Sequence, residues 1–403
     1  MSLRVLLITQ WFDPEPTFKG LLFAKKLQEQ GFKVEVLTGF PNYPGGEIYP
    51  GYRISWRKKE VIEGIPVNRV AIYPNHGQSA IKRILNYVSF AISSCLFGLW
   101  MARHTDIIYA YHPPLTVGLS AGIIRLFFPI KLVYDIQDLW PDSLRATGMI
   151  QSKLALSIVA AMCQWVYQRA DEIVVLSPGF KQLLQKRGVL EKKIHIIYNW
   201  ADEDALINSS GKMPINFPGT DRFRILFAGN IGKAQALDAI LDAAALLQDK
   251  NSQACFILVG GGVEVLRLKV RTQEMKLHNV LFFSAVPMAE IGSLLSSADV
   301  LLVHLRKDPL FKITIPSKTQ AYMAVGKPLL MAVDGDAADL VKLSGGGVVA
   351  ESESPDSIVQ AVQFLENQDK ELLHQMGQNA QRYYKKYLSL DSGVHKFAEI
   401  FRR

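Results

Sequence analysis

Both halves of this 403-residue chain open in the same way. Arg4-Val-Leu-Leu-Ile-Thr9 is an apolar run that leads through a Pro/Gly loop to a helical pattern over Leu21–Gln30. Gly31 closes that pattern, and a second apolar run, Lys33–Thr38, follows. Phe223–Ala228 leads in turn through Gly229-Asn-Ile-Gly232 to a helical pattern over Ala236–Lys250 and then to Ala254–Val259. Short apolar strands alternating with amphipathic helices specify parallel sheets with right-handed crossovers. Further strands are expected at Ile107–Tyr111, Lys131–Tyr134, Glu172–Leu176, His195–Tyr198, Asp299–Leu305 and Leu329–Val333. The pattern predicts an α/β protein of two Rossmann-like domains, 1–199 and 200–382, joined through the polar stretch Asn208–Arg222. A cleft between them at the C-terminal ends of the strands is the expected ligand site. The tail Asp369–Arg403 is expected to be helical, with 383–403 packing back on the N-terminal domain.

Length and apolar content suit two full cores. Cys95, Cys163 and Cys255 show neither metal spacing nor a disulfide framework, so a reducing compartment is expected. No signal peptide is read at the N-terminus. The net charge of +8 is uneven: residues 1–199 hold 23 Lys and Arg against 14 Asp and Glu, whereas the remainder is close to neutral. Such a half suits an anionic membrane face or a phosphorylated acceptor. Nucleic acid is excluded as the expected partner, because the cations are scattered apart from Arg57-Lys58-Lys59 and no nucleic-acid-binding motif is present. Ile84–Ala102 is a run of nineteen uncharged residues. Its length meets the threshold for a membrane span, but it also fits a buried crossover helix, or a helix dipped into a membrane face with Lys82, Arg83 and Arg103 meeting head groups.

Three segments of the C-terminal half offer anion sites. The run Ile315-Pro-Ser-Lys-Thr-Gln-Ala-Tyr-Met-Ala-Val-Gly-Lys-Pro328 places Ser317 and Lys318 where a helix begins, and Gly326-Lys-Pro328 where it ends. A helix N-terminus carries unpaired N–H groups and a positive dipole end, which suits a diphosphate; a simple Ser cap with a solvated Lys is the alternative. Gly229-Asn230-Ile-Gly232-Lys233 and Gly260-Gly261-Gly262, with Glu264 just beyond, each follow a strand and let backbone approach a ligand. Neither is a Walker loop. The pairs Asp202-Glu-Asp204 and Asp334-Gly-Asp336 have no supporting ligands nearby, so no metal or other cofactor is expected. In the N-terminal half, Asp138 falls just past a strand end. It is placed either to orient or deprotonate an acceptor hydroxyl, or to bond its own backbone. His112, before Pro113-Pro114, also ends a strand.

These pieces, with Phe12-x-Pro-Glu15, Pro41-Asn-Tyr-Pro44, Gly51-Tyr52, Asp138-Leu-Trp-Pro-Asp142, Tyr198-Asn199 with Asp202, and Tyr322-Met-Ala-x-Gly-Lys-Pro328, run the length of the chain. In that order the chain resembles the bacterial family 4 retaining glycosyltransferases of the GT-B fold that build surface polysaccharides. The resemblance implies a hexosyl- or N-acetylhexosaminyl-transferase with a nucleotide-sugar donor, expected to be a UDP-sugar, in the C-terminal domain. It also implies a lipid-linked or membrane-proximal glycan acceptor on the N-terminal domain, retention at the anomeric carbon, no metal, and a cytoplasmic location at the inner membrane face. By position, Gly229–Lys233 and Ser317-Lys318 would contact the donor diphosphate and Gly260–Gly262 would lie near the base. Lys19-Gly20 would close over the phosphates, and Asp138 would serve the acceptor. The family often carries two glutamates eight positions apart around this helix, where this chain has Ile313 and Ala321; Asn230 replaces a frequent arginine. Glu264 or Gln320 is then expected to take over the ribose. A nucleotide-sugar epimerase and a silent sugar-nucleotide- or membrane-binding subunit are the alternative readings.

Overall fold

The structure is a computed structural model that describes the chain except residues 1, 76, 78, 147, 208–216 and 220. Most of the expected linker 208–222 therefore lies outside the described residues. The chain forms two compact units, Met1–Tyr198 with Gly393–Arg403, and Asn199–Ser392.

The first unit is built on β1 (Arg4–Thr9), β2 (Lys33–Gly39), β3 (Arg57–Ile62), β4 (Ile65–Val70), β5 (Ile107–Tyr111), β6 (Lys131–Ile136), β7 (Glu172–Val175) and β8 (Ile194–Ile196). They lie in the order β3-β4-β2-β1-β5-β6-β7-β8. All neighbours are parallel except β3 and β4, a hairpin that the apolar pattern did not reveal. Glu63 and Gly64 both take positive φ at its two-residue turn, as a tight hairpin needs. Its outer strand carries Arg57-Lys58-Lys59, and lysines on an edge discourage further strand pairing.

The uncharged run belongs to a helix, Ala80–Met101, that packs on the α/β layer. Asn86 is buried there, accepting from Gln10 Nε2 at 2.5 Å and donating to the Tyr73 carbonyl at 2.7 Å. Phe90 and Ser94 are buried beside it, and Gly98 lets the helix pack closely, since a Cβ there would lie 2.4 Å from Ile124.

The expected tail of 383–403 divides instead near residue 392. The Lys370–Tyr387 helix stays with the second unit because the Tyr384 hydroxyl accepts from Ala201 N at 3.0 Å and donates to Glu203 at 2.7 Å. Residues 393–403 join the first unit. There Phe397 is wholly buried against Phe23 and Tyr109, at centroid distances of 5.2 and 5.3 Å, and Lys131 donates to the Ile400 carbonyl.

The second unit is a wholly parallel sheet of β9 (Phe223–Ala228), β10 (Ala254–Val259), β11 (Val280–Phe283), β12 (Val300–His304), β13 (Leu329–Ala332) and β14 (Gly347–Ala350). Its order is β11-β10-β9-β12-β13-β14. Every residue of β10, β12 and β13 is buried, as expected of strands covered on both faces. The strand order reverses between β9 and β12, which opens a crevice at the C-terminal ends of the strands.

Phe397→Ala is expected to destabilise the first unit by about 3–5 kcal/mol, because three aromatic neighbours lose a shared partner. Chemical denaturation measures this, and a loss below about 1 kcal/mol would contradict the packing described.

Candidate functional site

The crevice of the second unit contains a cavity of about 420 Å³. Two glycine turns form one wall. Gly229 follows β9 and Gly260 follows β10, and they are bound back to back: Gly229 N donates to Val259 O at 2.9 Å and Ile231 N to Gly261 O at 2.7 Å. A Cβ on Gly260 would stand 1.9 Å from Gly229 O, and one on Gly262 2.2 Å from Ile231 O. Both glycines also adopt φ of +148°, so the contact excludes any side chain. The amides of Gly229, Ile231 and Gly232 are consumed within the turns, Gly232 N donating to Gln235 Oε1. Those of Asn230, Gly261 and Gly262 meet no acceptor among the described residues.

The turn after β9 is fixed from below by His304. Its ring contacts the Gln235 carbonyl at 2.6 Å through Nδ1 and accepts from Glu353 N through Nε2 at 3.3 Å. A carbonyl only accepts and an amide only donates, so the ring is neutral with its proton on Nδ1. Burial holds its pKa below the ordinary value.

The other wall is the start of the Ser317–Val325 helix. Pro316 occupies the N-cap, and no side chain caps the helix, so the simple Ser cap is not formed. Ser317 is exposed and does not line the cavity. Lys318 does. Its Nζ lies 3.5 Å over the Phe227 ring and 3.4 Å from where a Cβ on Gly229 would be. The residue keeps some exposed surface, yet its ammonium has essentially none and finds no hydrogen-bond partner among the described residues. Burial lowers its pKa to about 7. Next to it Tyr322 locks the end of β9, its hydroxyl accepting from Ala228 N at 2.8 Å and donating to Ala228 O at 3.1 Å. Gly326, at φ +79°, closes the helix as its position predicts.

The rest of the lining is apolar, from Ala285, Val286, Met288, Ile291 and Leu295, with Ala321 on the helix and Asp202 at the rim. Of the residues singled out by sequence, Gly229, Asn230, Gly260, Gly261 and Lys318 meet at this cavity. Gly232 and Gly262 support the paired turns, while Lys233 is exposed and off the lining. Glu264 does not line it either and pairs with Arg267 at 2.6 Å. Gln320 is buried, its amide oriented to donate to the carbonyls of Pro316 and Ser317, so it is not free for a ribose. Sequence reasoning assigned no role to Tyr322 or to the apolar wall after β11. Tyr322 was visible as part of Tyr-Met-Ala; the wall carries no signal beyond hydropathy.

The first unit holds the other expected residues. Lys19 does not face outward, as closure over phosphates would require. It is wholly buried, 6.0 Å from the Tyr111 ring centroid and 5.7 Å from that of Phe397, and desolvation lowers its pKa to about 8 against the opposing effect of Asp135. Asp135 is anchored by Tyr109 Oη at 2.5 Å and Gln137 Nε2 at 2.6 Å. Gly20 makes room for the Asp13 carboxylate, which accepts from Leu21 N at 2.6 Å and so caps the first helix. Asp138 keeps solvent access in the loop after β6, and partial desolvation there raises its pKa above the ordinary carboxylate value. His112 is buried behind it, with Nδ1 facing Asp138 N at 3.4 Å, and burial lowers its pKa to about 3.

The family model described as glycosyl transferases group 1 matches residues 212–383, and that described as a glycosyl transferase 4-like domain matches 21–200. Together they cover most of the chain. The chain belongs to the GT4-like glycosyltransferases. Two curated relatives of this glycosyltransferase are 26% identical to it. The probable glycosyltransferase WbjE of Pseudomonas aeruginosa aligns over 75% of each chain. The putative colanic acid biosynthesis glycosyl transferase WcaI of Escherichia coli K12 aligns over 89% of this chain and 91% of its own. Sucrose-phosphate synthase of Thermosynechococcus elongatus shares the GT-B fold at a TM-score of 0.72 and 16% identity, over 99% of this chain and 98% of that one. Anabaena Alr3699/HepE in complex with UDP does so at 0.69 and 15%, over 99% and 100%.

In this glycosyltransferase the cavity joins one unneutralised ammonium to spare amides, which suits an anion laid against Gly229. An anion would restore the Lys318 proton. Binding of a nucleotide-sugar donor at pH 8 is therefore expected to take up close to one proton, and affinity should fall by up to about tenfold per pH unit above about pH 7. Calorimetry in buffers of different ionisation enthalpy measures the uptake, and its absence would separate Lys318 from the anion.

Proposed function

We propose that this glycosyltransferase moves a sugar from a UDP-sugar to a lipid-linked or membrane-proximal glycan acceptor in polysaccharide biosynthesis, with retention at the anomeric carbon. In this reading it works in the cytoplasm at the inner face of the membrane, with the Ile84–Ala102 region in peripheral contact. The observation that carries the donor half is the Lys318 ammonium, buried on Phe227 beside Gly229 without a counter-charge among the described residues. WcaI is named for colanic acid biosynthesis and HepE is described with UDP and with UDP-glucose, which supports the choice of pathway type and donor.

Breaking the bond to the diphosphate loads negative charge onto the leaving group. Lys318 meets that charge with the amides of Asn230 and Gly261, donors already in place before the reaction. No metal ion is needed in this scheme. The apolar wall from Ala285 to Leu295 receives the nucleoside, and Ala321 leaves no carboxylate on the helix to bind ribose. On the acceptor side Asp138 orients the attacking hydroxyl, its carboxyl held above the ordinary value by its crowded loop.

Lys318→Ala is expected to lower kcat/KM for donor turnover by about 10²–10³-fold. Turnover within about threefold of wild type would remove Lys318 from the mechanism. Incubation with donor alone should give slow hydrolysis and no epimer; an epimerised nucleotide sugar would favour the epimerase reading instead.

A further inference from the structure

The Ala80–Met101 helix has its amphipathy reversed. Hydrogen-bonding side chains, Asn86, Ser93 and Ser94, are buried, and each bonds within the first unit. Ile84, Val88, Ile92, Leu96 and Trp100, spaced every four residues, are exposed. Four-residue spacing keeps side chains on one face, so they form a continuous apolar stripe. A helix whose outer face met only water would place its polar side chains there.

This helix packs on the Leu115–Phe127 helix, which packs on the Lys153–Arg169 helix. The three helices of this layer contribute no acidic side chain, and among the described residues the one ion pair on them joins Arg125 to Asp171 of the following loop at 3.1 Å. Leu126 and Phe127 are exposed at the end of the second helix, and Leu154 and Ile158 are exposed on the third. Lys82 is exposed near one end of the first helix and Arg103 just past the other.

Beside the stripe lies an open groove formed by Trp56, Arg57, Leu96, Phe97 and Trp100. The Arg57 guanidinium stacks 4.7 Å from the Trp100 ring and 5.7 Å from the Phe97 ring, held by Asn68 Oδ1 at 2.6 and 3.2 Å. No carboxylate pairs with it among the described residues. Trp56, 65% exposed, stands 5.9 Å from Phe97. A fixed guanidinium among tryptophans matches the boundary where phosphate head groups meet acyl chains.

We propose that this face docks on anionic phospholipid, with the Ala80–Met101 helix lying in the plane of the interface and Arg57 holding a lipid phosphate between Trp56 and Trp100. The proposal rests on the membrane-proximal reading above and adds the lipid class, the orientation and the residues. The helix does not span: its inner face is fastened through Asn86 to Gln10, Asn42 and Tyr73 in the loops that follow the strands, while the apolar stripe enters the boundary between head groups and chains. Lys82 and Arg103 add long-range attraction that salt weakens.

The test is sedimentation of the full chain with phosphatidylcholine vesicles, with and without about 30% phosphatidylglycerol. Wild type should bind the anionic vesicles at least about tenfold more tightly than the neutral ones, and high salt should release it. Leu96→Glu, at an exposed position, and Arg57→Glu, at a half-buried one, should each weaken anionic binding at least about tenfold. Circular dichroism and size exclusion verify folding, and a folded variant that binds as wild type overturns the proposal. So does a wild-type chain that ignores vesicles but forms a dimer broken by Leu96→Glu. UDP binding measured on the same samples keeps the donor assignment separate: loss of vesicle binding with UDP binding intact bears only on docking.

Discussion

A lysine ammonium pressed onto a phenylalanine face organises the second unit's site. Removing an ammonium from water is costly unless something returns the lost solvation. The Phe227 ring returns only part of it, and burial still lowers the Lys318 pKa to about 7. The surrounding structure keeps it there. β9 positions Phe227, Tyr322 secures the end of that strand, and the Gly229–Gly260 contact leaves a side-chain-free shelf beside Nζ. His304 fixes the turn from beneath. An anion on that shelf would supply the missing interaction, and the proposed function gives that place to the donor diphosphate, where charge develops in sugar transfer.

Much of the fold was legible in the sequence because parallel strands buried on both faces form unbroken apolar runs. Arg4–Thr9, Ile107–Tyr111, Phe223–Ala228 and Ala254–Val259 are found with the expected bounds. The β3–β4 hairpin was not legible, since an edge strand reading Arg-Lys-Lys-Glu-Val-Ile has no such run. The site was partly legible. Glycines after strands and a lysine at a helix start are local signals, and they converge at the cavity. Where Lys19 points is decided by tertiary partners, Asp135 and the Phe397 ring from the far end of the chain, which no local pattern shows. Ser317 failed as a cap for a local reason: Pro316 already holds the N-cap position.

Hydropathy alone left three readings of Ile84–Ala102, because both faces of that helix contain apolar residues. The distinction lies in which polar residues are buried. Asn86, Ser93 and Ser94 bond inside the unit, which leaves the outward face almost purely apolar. The same composition can therefore belong to a core helix, a span or an interfacial helix, and the hydrogen-bond partners show which face is turned inward. The first unit's excess of positive charge takes on a location in this light, since the three-helix layer contributes cations and no anions.

A crystal structure of the chain with UDP tests the role of Lys318 most directly. The diphosphate is expected against Gly229, with Lys318 Nζ moved off the Phe227 ring to within hydrogen-bond distance of a phosphate oxygen, and the nucleoside along the Ala285–Leu295 wall. UDP bound elsewhere, or bound there with Lys318 still resting on Phe227, would contradict that role.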